Sequence, residues 1–132
     1  MNVLKAARTM CVALAVAGAP ACAAALVGAG AAGAIGWNDR GAESTVNGTV
    51  DQNYTRAMAV FQQMGISQTG QKSEDNGHER TLMGTKGDTE VTVTLHMREA
   101  TTTKVEVTAK RNMVDYDKNM AKDILTAMIN RT

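Results

Sequence analysis

Aromatic residues are almost absent from the chain, with one Trp, one Phe and two Tyr in 132 residues. A core of ordinary aromatic weight is therefore excluded. Val, Ile and Leu must build it, and the nine methionines are flexible enough to plug its irregular gaps. Cysteine is scarce as well. Both copies, Cys11 and Cys22, lie in the apolar N-terminal stretch, so a disulfide framework for the folded part is excluded. The single proline, Pro20, lies in the same stretch. Histidine is limited to His78 and His96, with no paired cysteine or close carboxylate, and such a pair does not compose a metal site. Charge of one sign is lacking too. The net charge is +1, and losing Lys5 and Arg8 with the first 21 residues would leave 12 basic against 13 acidic side chains. That balance gives no field to draw nucleic acid.

The chain does have an apolar run, "AVAGAPACAAALVGAGAAGAIGW", at residues 15–37. Upstream of it stands a basic region with Lys5 and Arg8, then an apolar segment from Met10 to Ala17, then small residues suited to a peptidase. This is the three-part grammar of an export signal, expected over residues 1–21. The apolar segment alone is too short for a bilayer, which needs about 20 residues. Taken from Met10 to Trp37 without a break, however, the run is long enough to span, and a proline is tolerable there.

The box "APAC" ends in Cys22, where a lipoprotein signal requires a thiol that takes a diacylglyceryl group and an amine that takes a further chain. Ala19 and Ala21 suit the box, whereas Pro20 is unusual and Ala19 stands where Leu is common. Two other readings stay open: ordinary cleavage after Ala19-Pro20-Ala21, which leaves a free Cys22, and an uncleaved membrane anchor. Lipidation is the reading we carry forward, because two or more acyl chains hold a protein at a membrane durably. Ala23 is not the aspartate that commonly retains a lipoprotein at the inner membrane, so the outer membrane, facing the periplasm, is the expected site. Residues 22–42 then form a membrane-proximal segment. Within it Gly28, Ala32 and Gly36 recur every four residues, a small-residue stripe through which a helix could associate. A spacer between lipid and domain is the plainer expectation, since glycine weakens a helix in water by about 1 kcal/mol relative to alanine.

The polar stretch "NDRGAEST" marks the boundary of a small domain expected over residues 43–132. "STVNGTV" reads as a strand and "DQNYTRAMAVFQQMG" as a helix capped by Asp51, with Tyr54, Ala57, Met58, Phe61 and Met64 on one face and Gly65 closing it. "ISQTGQKS" is a weak strand, whereas "HERTLMGTK", "TEVTVTLHM" and "TKVEVTAKR" are stronger. In the last two, Val91, Val93, Leu95, Met97, Val105, Val107 and Ala109 alternate with polar residues, as in an antiparallel sheet with one face buried and one wet. A final helix, capped by Asp115, carries the stripe Met120, Ala121, Ile124, Leu125 and Met128. The order β-α-β-β-β-β-α predicts an α+β two-layer sandwich, one antiparallel sheet with both helices on one face.

No catalytic signature emerges. Ser44, Ser67 and Ser73 lack an elbow or oxyanion glycines; Asp115 and Asp117 sit where a helix start favours acids; "GTKGDT" is a hairpin turn without phosphate-loop spacing. "NGT", "NYT" and "NRT" match glycosylation acceptors only formally. Arg80, Lys86, Arg98, Lys104, Glu106 and Lys110 are expected on the wet sheet face, a solvated surface by default and a docking surface by function.

"CAAALVGAGAAGAIGW", "STVNGTVDQNYTRAMAVFQQMGI", "VTVTLHM", "KVEVTAKR" and "AKDILTAMI" together resemble a family of small bacterial lipoproteins whose domain, DUF3568, is of unknown function. The resemblance covers nearly the whole chain and implies an envelope location; it implies no activity. The expectation is thus a non-enzymatic envelope lipoprotein, without cofactor or metal, that contacts the membrane through lipid on Cys22 and has an envelope protein as its partner. The alternative is a periplasmic carrier of a lipid or other apolar ligand, with Met58, Met64, Met97 and Met128 lining a cavity between sheet and helices.

Overall fold

The alternation in residues 89–110 becomes two long neighbouring strands at the centre of one antiparallel sheet. A computed structural model describes residues 34–132. In chain order the elements are β1 (Gly36–Trp37), β2 (Gly41–Asn47), α1 (Val50–Met64), β3 (Ser67–Glu74), a 3-10 turn (Asp75–Gly77), β4 (Glu79–Lys86), β5 (Thr89–Glu99), β6 (Thr102–Lys110) and α2 (Lys118–Ile129). The sheet order is β1-β2-β6-β5-β4-β3. The chain therefore crosses from β2 to the far edge through α1, returns as a four-stranded meander, and ends in α2. This is the expected α+β fold, with the two-residue β1 added at one edge.

Both helices pack on the face that carries Ala42, Val46, Leu82, Val91, Val93, Leu95, Val105, Val107 and Ala109, all fully buried. From the helices come Tyr54, Ala57, Val60 and Phe61, and Ala121, Ile124, Leu125 and Met128. The stripe predicted for α1 needs one correction: Met58 is 38% exposed and Val60 takes its place in the core. Gly84 lets α1 approach, because a Cβ there would stand 2.8 Å from both Phe61 and Ile66 side chains.

Two caps differ from expectation. Thr49, not Asp51, caps α1 in a capping box: the Gln52 N–H donates to Thr49 Oγ1 (3.2 Å), and the Thr49 N–H donates to Gln52 Oε1 (3.0 Å). Asp51 is left free to pair with Arg80. Asp117, not Asp115, caps α2, its Oδ1 accepting from the Met120 N–H at 2.9 Å. Asp115 comes too early because the chain is still sheet-like at Tyr116, which bridges to Lys110. Gly65, at φ 70°, closes α1 as expected.

The folded unit begins earlier than residue 43. Ala42 is fully buried and Ile35 packs against the core. Gly36 lies in β1 opposite Glu43, so it belongs to a strand and not to a small-residue helix stripe. Cys22, Gly28 and Ala32, and with them the segments expected to be a signal and a spacer, lie wholly or mostly outside the described residues.

Candidate functional site

With one face of the sheet covered by helices, the opposite face is open among the described residues. The strand pleat sends Glu43 and Thr45 of β2, Lys104, Glu106 and Thr108 of β6, and Thr92, Thr94 and His96 of β5 to that side. The register then sets their neighbours. Glu43 stands opposite Glu106, which stands opposite Thr94; Thr45 stands opposite Lys104, which stands opposite His96.

Two carboxylates directly opposite each other across a strand pair repel. Lys104 resolves this: its Nζ is 2.6 Å from Glu106 Oε1 and 3.5 Å from Glu43 Oε2. The hydrogen bond to Glu106 is the main cause that raises the Lys104 pKa above its ordinary value. The same bond, helped by the charges of Lys104 and His96, lowers that of Glu106 against the cost of burial. On the next strand His96 Nδ1 lies 3.3 Å from Glu79 Oε2. The result is a ribbon of paired charges running across four strands.

The turn between β1 and β2 folds beside this ribbon, and Asn38 Nδ2 donates to Glu43 Oε2 at 3.4 Å. Residues 38–40 with Thr92, Thr94, Glu106 and Thr108 enclose a shallow concavity of about 450 Å³. Its lining offers hydroxyls, carboxylates and a guanidinium, so its chemistry is that of polar recognition. Among the described residues no group of three or more His, Cys, Asp or Glu converges as metal ligands would.

Arg98, Lys104, Glu106 and Lys110 keep the open-face positions read from the sequence. Arg80 does not. It follows the inward row of Leu82 and Gly84, lies 3.6 Å over the Tyr54 ring and pairs with Asp51 at 2.9 Å. Lys86 extends that same inward row at the strand's exposed end. His78 ends the 3-10 turn, 3.6 Å from Asp75, and directly precedes Glu79 at the β4 end of the ribbon. The four methionines assigned to a cavity do not share one: Met128 is fully buried, Met64 partly, and Met58 and Met97 are 38% and 41% exposed.

Sequence reasoning missed Asn53. It is fully buried, and its amide donates to the carbonyls of Asn47, Gly48 and Thr49 at 3.3, 3.2 and 3.1 Å. The only sequence signal was a formal glycosylation match, which this burial rules out in the folded state.

Residues 5–131 match the family described as "Protein of unknown function (DUF3568)". The chain belongs to this family. Comparison with curated proteins gives no match. The DUF3568 match includes the N-terminal stretch as well as the sheet and helices, so both belong to one family pattern.

Proposed function

We propose that this DUF3568 protein is a cell-envelope lipoprotein, held through acyl chains on Cys22, with a non-enzymatic domain that binds a partner or supports structure on the periplasmic side of the outer membrane. The observation that carries the proposal is the order of the N-terminal features: a basic region, a short apolar segment, "APAC", and then the first strand, at Gly36, only fourteen residues after Cys22. A segment so placed serves a tether better than a further domain. Among the described residues no helix is long and apolar enough to cross a membrane.

The open face supports a docking role with a polar envelope protein. The charges of Glu43, Lys104, Glu106, His96 and Glu79 are already paired on the surface, so a partner that meets hydroxyls and ion pairs here keeps their hydrogen bonding. The carrier reading draws no such support, because the space between sheet and helices is filled by side chains with no exposure. Mass spectrometry of the mature protein tests the anchor. A chain beginning at Cys22 with the added mass of acyl groups is expected; an intact Met1 or an unmodified Cys22 would overturn it.

A further inference from the structure

The loop between β6 and α2 exposes Met113 and Val114, each at 87%, at the tip of an otherwise polar end of the sheet. The loop is built. Asn112 Oδ1 accepts from the N–H groups of Val114 (3.1 Å) and Asp115 (3.0 Å). Its two ends are clamped by Arg111 on Asp117 at 2.7 Å and by the Arg111 N–H on the Asp115 carbonyl at 2.9 Å. An apolar pair held outward on such a frame loses little conformational freedom on contact.

We infer that this tip is the part of the domain that touches the bilayer, with Met113 and Val114 entering the interfacial region. The inference rests on the proposed anchor at Cys22. Two side chains on a convex tip are far too small for a stable protein interface, which takes about 800 Å² per partner. They suffice where a tether already holds the domain at the surface and raises its effective concentration there. The reach fits. The chain leaves the described fold at Ala34, whose carbonyl accepts from Ser44 Oγ, and Ser44 lies opposite Val105. From there to the end of β6 is about 17 Å of strand, and twelve residues, the number back to Cys22, have a maximum reach of about 40 Å. Trp37, 52% exposed on the edge strand near Lys122, lies toward the same end. Charge adds little: Lys110, Arg111 and Lys118 near the tip are offset by Asp88, Glu90 and Asp115, so contact with zwitterionic lipid is expected to be as good as with anionic lipid.

The test uses the full-length protein, processed in its envelope, purified and reconstituted into phosphatidylethanolamine vesicles containing brominated phosphatidylcholine. In a Trp37→Phe background, Met113→Trp supplies a fluorophore at the tip, and Thr101→Trp supplies one at the opposite end of the sheet. Emission from position 113 is expected to shift to the blue and to be quenched at least twofold, while emission from position 101 does neither. An unquenched tip, or equal quenching at both positions, overturns the inference. Intact mass on the same samples reads Cys22 separately. An acylated protein with an unquenched tip overturns the tip alone, and a quenched tip on an unacylated protein overturns the anchor alone.

Discussion

Asn53 illustrates how one side chain fixes a local structure that no apolar pattern announces. Its amide holds the three carbonyls of residues 47–49 where β2 turns into α1, and its own Oδ1 accepts from Arg56 at 2.9 Å. Asn53→Ala would strand those carbonyls in part, since Arg56 and Thr103 also reach Asn47 and Gly48. A loss of about 1–3 kcal/mol is expected, read as a lower urea midpoint at unchanged slope. Asn53→Asp is expected to cost more at neutral pH, because a carboxylate would face the same carbonyls with no proton to donate. Arg80 is a second case in which residue type misleads. In "ERTLMGTK" Leu82 and Met83 are adjacent apolar residues, so the alternation has two possible phases. The structure turns Leu82 inward and Met83 outward, and Arg80 goes inward with Leu82, its charge accommodated by Tyr54 and Asp51.

Among the elements, β5 and β6 were the most legible, because Val and Leu alternate strictly with Thr, Lys and Glu over their buried lengths. β3 was the least legible. All but one of its residues are exposed, it is an edge strand, and its register slips between Gln68 and Gly70, so no periodicity could survive in its sequence. The helix starts lay between these extremes. Thr49 followed three residues later by Gln52 is a readable capping box, but an acid nearer the apolar stripe drew attention from it. Thr49→Ala is accordingly expected to cost about 0.5–2 kcal/mol, and Asp51→Ala clearly less, in the same urea titration. The cap of α2 adds a pH dependence. The Met120 N–H first, then Arg111, lowers the Asp117 pKa below its ordinary 3.8. A lowered carboxyl stabilises the fold above the unfolded value and loses that contribution as pH falls through the folded one. Asp117→Ala is therefore expected to cost about 0.5–2 kcal/mol at pH 7, with the gap from wild type closing as pH falls below about 3.8.

For the whole molecule, the two-layer architecture follows from patterning, whereas its N-terminal limit did not. "NDRGAEST" is polar enough to look like a linker, yet Ala42 within it is fully buried and Ile35 before it packs on the core. Small apolar residues next to charges give a weak hydropathy signal even when they are inside. A chain starting at residue 34 is expected to unfold cooperatively with the full stability of the domain. One starting at residue 43 loses β1 and two core residues and should be destabilised by about 2–4 kcal/mol, as measured by thermal or urea denaturation of the two fragments. The open polar face was legible as a row of residue types, but the meeting of Glu43 with Glu106 was not, because that neighbourhood depends on strands more than sixty residues apart.

That same pairing has a consequence for how the chain is made. Among the described residues β2 is the first long strand to be synthesised, and its only long partner, β6, is the last. The meander from β3 to β6 joins sequence neighbours and can assemble in order, but β2 has no ladder to enter until Thr102–Lys110 have been synthesised. Until then Ala42 and Val46 have no sheet to cover them. The β2 segment must therefore wait without its main ladder until β6 has been made, a state in which a chaperone can still engage it.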